Sequence, residues 1–180
     1  VVPMLEHGWA GAGDVPFYVL AWNDGPTLRE LLERDGPLPV DEVVRLGVGM
    51  ADALAHAHAR GVLHGDLRAK HVQLVIGAPT YLSPEQLAGE RAPTERADVY
   101  SLGCVLHELL VGAVPFAAAS QMMLVSAKLT QPAPSVRQAR ESVPEALDEV
   151  LRRALARLPS DRWRSAAELR DALAGLHVMP

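Results

Sequence analysis

Residues 64–71 read His-Gly-Asp-Leu-Arg-Ala-Lys-His, which crowds a carboxylate, two fixed cations and two imidazoles into one short run. Such a set invites either proton handling by Asp66 beside Arg68, or capture of a metal by His71 together with His56, His58 and His64. The spacing argues against the metal. His56 and His58 stand two apart on a predicted helix and so face different ways. No H-E-x-x-H run and no cysteine pair accompanies them, so no metal is expected. Phosphate cradling by Gly11-Ala12-Gly13 is also excluded, because a third glycine and its strand-to-helix setting are missing. Two further runs follow, Ser83-Pro84-Glu85 and then Asp98-Val99-Tyr100-Ser101-Leu102-Gly103.

In this order the three runs resemble the catalytic loop, the A-P-E motif and the start of the long central helix of a protein kinase. Asp24-Gly25-Pro26-Thr27-Leu28, Tyr81–Leu87 and Asp98–Leu110 are similar to bacterial-type (Hanks-type) serine/threonine kinases. The resemblance covers nearly all of the chain. It implies a mainly α fold of the α+β family, a kinase-like large helical lobe with a residual N-terminal β-hairpin. Residues 1–22 then form the hairpin and hinge, and residues 23–180 the helical lobe, within a single domain that looks truncated and internally deleted.

The same resemblance assigns roles. Asp66 stands where the family's aspartate accepts the substrate hydroxyl proton, and His71 where an asparagine holds magnesium. Arg68 replaces a lysine that touches the transferred phosphate, keeping the charge but changing a point ammonium for a planar fork. Ala21 and Trp22 fall at the hinge whose backbone meets adenine, Leu20 at the position that gates the back of that pocket, and Gln73 at its floor. Four positions are structural by resemblance. His64 should rest on the central helix, and Asp98 should accept backbone hydrogen bonds from the His64–Asp66 turn. Glu85 should form a buried ion pair with Arg162.

Several departures from the family pattern bear on activity. Imidazole at His71 suits zinc or copper better than magnesium. Only Val72–Ile76 separate His71 from Gly77-Ala78-Pro79-Thr80-Tyr81, and no D-F-G occurs anywhere. Five residues span at most ~18 Å, enough for a shortened return between neighbouring ends. The G-x-G-x-x-G loop and the V-A-I-K lysine are missing too. Phosphoryl transfer rests on positioning and electrostatics, and losing one such element costs on the order of 3 kcal/mol. The ATP and magnesium that the family implies are therefore expected to bind weakly or not at all. The leading reading is a pseudokinase-like or truncated module that binds protein. The alternative is an ATP-dependent serine/threonine kinase, active with a complementing small lobe or within a longer chain.

The elements that must position these residues begin with strand-like Val1–His7 and Phe17–Trp22, turned by Gly8–Asp14. An isolated hairpin is marginal in water, so pairing with another chain, a copy or a separate small lobe, is expected. Capping boxes at Thr27/Glu30, Ser142/Glu145 and Ser165/Glu168 predict helix starts. Helical spacing of Val44, Val48, Ala51, Ala55 and His58 predicts a helix over about 40–60, closed by Gly61. Dense apolar residues predict a buried helix over 95–111, and another helix is expected over 120–129. Residues 131–140 read as loop, giving six helices in all.

Composition limits the partners. The 180 residues carry a net charge of −5 and no Lys/Arg block, which points away from nucleic acid and anionic membrane surfaces. The most apolar stretch, about 105–124, is broken by His107, Glu108, Pro115, Ser120 and Gln121, so no membrane span is expected. Cys104 is the single cysteine, which excludes an internal disulfide and fits a reducing, cytoplasmic setting.

Overall fold

A computed structural model describes residues 4–10, 15–20, 26–65, 67, 80–89 and 94–176, the first two stretches by their backbone. β1 (Met4–Ala10) and β2 (Val15–Leu20) pair antiparallel, with Gly8 opposite Phe17 and Ala10 opposite Val15. The strands run deeper into the glycine-bearing stretch than expected, so Gly8 is a strand residue rather than part of the turn. The sheet has two strands among the described residues.

The helices are α1 (Leu28–Asp35), α2 (Val40–His58), α3 (Pro84–Leu87), α4 (Glu95–Val111), α5 (Gln121–Thr130), α6 (Val136–Ala139), α7 (Glu145–Ala154) and α8 (Ala166–Ala174). The Thr27/Glu30 box opens α1 as expected, each side chain meeting the other residue's N–H. Ser165 caps α8 by accepting from Glu168 N–H, while the Glu168 carboxylate turns to Arg164 instead of closing the box. The expected Ser142/Glu145 box is not formed. Pro144 sits at that N-cap, and its carbonyl takes the N–H groups of Leu147 and Asp148. Two four-residue helices, α3 and α6, were not expected, because one turn is too short to show a period.

α4 is buried on nearly every side, from Ala97 to Leu110, and lies at the centre of the core. Leu102, Val105, Leu106, Leu109 and Leu110 are all buried, each side chain contributing about 2 kcal/mol by leaving water. Gly47 lets α2 approach this helix and α8, since a Cβ there would come within 3.1 Å of Leu106 and Leu173. Gly103 does the same for the end of α7, where a Cβ would lie 3.1 Å from Ala154 and Leu155. Gly112, at φ 81°, closes α4 in the left-handed conformation that favours glycine. Met122 and Met123 are exposed and only Leu124 of that run is buried, so α5 adds less to the core than its composition implies.

Candidate functional site

α4 also carries polar residues into the core, and two of them, Asp98 and Ser101, hold backbone of the 64–65 turn and of Tyr81. Asp98, in the first turn of α4, accepts from His64 N–H at 2.8 Å and from Gly65 N–H at 2.7 Å. Those are the first two residues of the 64–71 run. Gly65 adopts φ 72°, which turns the two amides toward one carboxylate. A third bond comes from His58, whose Nε2 lies 2.8 Å from Asp98 Oδ2, with Nδ1 3.6 Å from Glu95.

This arrangement differs from the sequence expectation in one respect. His64 is an exposed residue, and the hydrogen bond that ties it to α4 is made by its backbone. The imidazole buried against the central helix belongs to His58. The sequence signal was present, because His58 occupies the last turn of α2 on the same face as Leu54 and Ala51, both buried.

α3 supplies the second anchor. Gln86 accepts from Ser83 N–H at 2.9 Å, and its amide donates to Gly65 O at 2.9 Å. The 64–65 turn is thus held from two sides, its N–H groups by Asp98 and a carbonyl by Gln86. Glu85, beside it, meets Arg162 through two bonds of 2.7 Å. Burial raises the Glu85 carboxyl pKa, but the guanidinium outweighs it and holds the group below the ordinary value.

The stretch between these anchors is fixed by its carbonyls. Lys128 of α5 donates to Thr80 O (2.6 Å) and Leu82 O (2.8 Å), and Ser101 of α4 donates to Tyr81 O (3.0 Å). Three consecutive carbonyls are therefore taken by side chains. The Lys128 ammonium is buried, 5.1 Å from the centre of the Tyr100 ring, and burial lowers its pKa. On the opposite side Tyr81 Oη and Arg29 both donate to Glu108, beside a cleft of about 400 Å³. Burial first, and then the Glu108 carboxylate, push the Tyr81 phenol upward. Cys104 lies buried behind this layer, its thiol pushed up to about 11, and is chemically inert.

Asp66, Arg68, His71, Ala21, Trp22 and Gln73 lie outside the described residues, as does the Val72–Ile76 return. Leu20 is the last residue of β2 and is described by its backbone. The site the structure does describe is thus the seat of the loop: Glu85, Asp98, Arg162 and the backbone of His64, joined by His58, Gln86, Ser101 and Lys128. Among the described residues no cluster of His, Cys, Asp or Glu is placed to hold a metal. None of the described helices is long and apolar enough to cross a membrane.

Comparison with known proteins meets this geometry. Residues 68–172 match the family model described as "Protein kinase domain". The chain is 31% identical to serine/threonine-protein kinase PknB of Mycobacterium leprae (strain TN), over 98% of this chain and 33% of that protein. It is 33% identical to serine/threonine-protein kinase PknH of Mycobacterium bovis, over 94% of this chain and 32% of that protein. The chain thus spans about a third of the length of these curated relatives. Among solved structures, that of Rad53 1–466 in complex with AMP-PNP superposes with a TM-score of 0.79 at 18% identity, covering 95% of this chain and 49% of that one. A helical lobe organised around α4, the matched domain and the kinase relatives agree, and the chain belongs to the protein kinase family.

Proposed function

We propose that this chain is a catalytically impaired, pseudokinase-like member of the family that acts by binding protein. One observation carries the reading: the seat of the catalytic loop is complete while the donor set that should complete the site is not. Asp98, Gln86 and the Glu85–Arg162 pair hold the loop and its neighbour in place. Yet His71 stands where the family has its metal-binding asparagine, and no D-F-G supplies a carboxylate. An imidazole alone does not fit magnesium, which takes oxygen ligands. ATP with magnesium is accordingly assigned no role in this chain.

The alignment with the Mycobacterium leprae relative adds support. It extends over 207 positions, more than the 180 residues of this chain, so the relative carries residues without a counterpart here. The proposed partner surface is the N-terminal hairpin, whose sheet has two strands among the described residues and so two edges that another chain could extend.

A thermal melt with and without ATP and magnesium tests the reading. A ligand at a hundred times its Kd adds about 2.7 kcal/mol of stability. No shift is expected. A magnesium-dependent rise would sink the proposal and favour the second reading, an ATP-dependent serine/threonine kinase completed by a small lobe or by a longer chain. That reading draws on the intact loop seat and on the kinases among the relatives. Substituting Asp66→Ala separates the two, since a binding module tolerates it and an enzyme does not.

A further inference from the structure

Between the C-terminal ends of α5 and α7 lies an open groove of about 480 Å³, remote in sequence from the N-terminal hairpin. Pro132, Ala133, Leu155 and Ala156 give it an apolar lining, and Arg152 and Arg157 add two guanidinium groups. The wall is rigidly built. The carbonyls of Ala156 and Arg157 accept from Arg162 at 2.7 and 2.9 Å, and Arg162 is itself locked onto Glu85. Leu155 is buried beneath the same wall. Arg157 is fixed across the groove by donating to Leu129 O at 3.2 Å.

The charge here runs against that of the molecule. The chain carries −5 overall, yet residues 152–164 contain Arg152, Arg153, Arg157, Arg162 and Arg164 against Asp161 alone. Arg162 is spent on Glu85 and Arg153 lies over the Trp163 ring at 3.9 Å. Arg164 pairs with Glu168 at 2.6 Å, which leaves Arg152 and Arg157 facing the groove. Arg152 is half exposed, and its link to Asp148 at 3.3 Å is a solvent-screened pair that a better ligand can replace.

We propose that this groove docks an acidic peptide segment of a partner protein, its carboxylates on Arg152 and Arg157 and an aliphatic side chain over Pro132 and Leu155. The planar guanidinium fork suits carboxylates, which it grips through paired hydrogen bonds. The local positive charge on an acidic molecule steers such a segment to this face and away from the rest. The preformed wall lowers the ordering cost of binding. The inference stands independently of nucleotide binding and of pairing through the hairpin, since neither involves these residues.

The test is fluorescence anisotropy on the full chain, using a short fluorescein-labelled peptide of alternating Glu and Leu. A peptide of alternating Lys and Leu is the control. The Glu peptide is expected to bind, to weaken as NaCl is raised, and to lose about tenfold in affinity when Arg152→Gln and Arg157→Gln are combined. Arg152→Gln alone should cost a few-fold with an unchanged melt, which separates lost docking from lost folding. Amide shifts on titration should centre on residues 130–133 and 152–157. Equal binding of the Lys peptide, undiminished affinity in the double variant, or shifts centred on Met122 and Met123 would each overturn the proposal.

Discussion

Arg162 presents five N–H donors, and Glu85 takes two of them through parallel 2.7 Å bonds from a position 77 residues away. The other three go to the carbonyls of Ala156, Arg96 and Arg157. Every donor of a fully buried guanidinium is satisfied, and its face also lies over the Tyr100 ring at 4.8 Å. Removing the carboxylate leaves a buried cation alone. Glu85→Gln should therefore cost about 3–5 kcal/mol in denaturant unfolding, while Glu85→Met with Arg162→Met should cost less than the two singles summed. A single-variant cost under about 1 kcal/mol would place the pair with ordinary surface bridges.

Asp98 holds the 64–65 turn by accepting two backbone N–H groups and facing His58. Asparagine in its place has one acceptor oxygen and no charge. Asp98→Asn should lower stability by about 2–3 kcal/mol, with the Gly65 amide exchanging faster with solvent than the amides of α8. Unchanged exchange at Gly65 would show that Gln86 alone holds the turn.

Acid should act in two stages. His107 is buried, and burial lowers its pKa below 6.5, against the opposing hydrogen bond to Ala113 O. The unfolded chain thus binds this proton more readily, so His107 contributes stability above about pH 6.5 that is lost as pH falls through the folded value. Glu85, held below 4.5, contributes stability present above that pH and lost as pH falls further. His107→Asn keeps a donor for Ala113 O and should flatten the first stage while leaving the second. Melting points across pH for both chains would show it; identical slopes just below pH 6.5 would remove His107 from the account.

Two glycines should respond to alanine with opposite signs. Gly49 lies within α2, and a Cβ added there would meet nothing within 4 Å, so Gly49→Ala should stabilise by about 0.5–1 kcal/mol. Gly103 lies against Ala154 and Leu155, and Gly103→Ala should cost about 1–3 kcal/mol by overpacking. Denaturant midpoints for the pair give the comparison directly.

The parts of the fold that were legible share a local cause. α4 announced itself by its density of apolar residues, and α1 by a capping box written within four residues. The Glu85–Arg162 pair and the Asp98 anchor came from family resemblance instead, because no local pattern links residues so far apart. α3 and α6 escaped notice since one turn has no period, and Pro144 displaced Ser142 as the cap of α7. Lys128 was the least legible. A lysine on a helix reads as solvated, and only the fold shows its ammonium enclosed by two carbonyls and an aromatic ring.

The carbonyls of Thr80, Tyr81 and Leu82 are gripped by Ser101 and Lys128, and Glu85 by Arg162, all of them later in the chain. A ribosome delivers residues 80–87 well before the groups that shape them. This stretch must wait through the synthesis of α4, α5 and α7, and its carboxylate has no guanidinium until residue 162 has emerged. The segment that holds the 64–65 turn is therefore among the last to settle during synthesis. A nascent chain stalled between α5 and Arg162 would hold the Lys128 end of this seat and lack its Arg162 end.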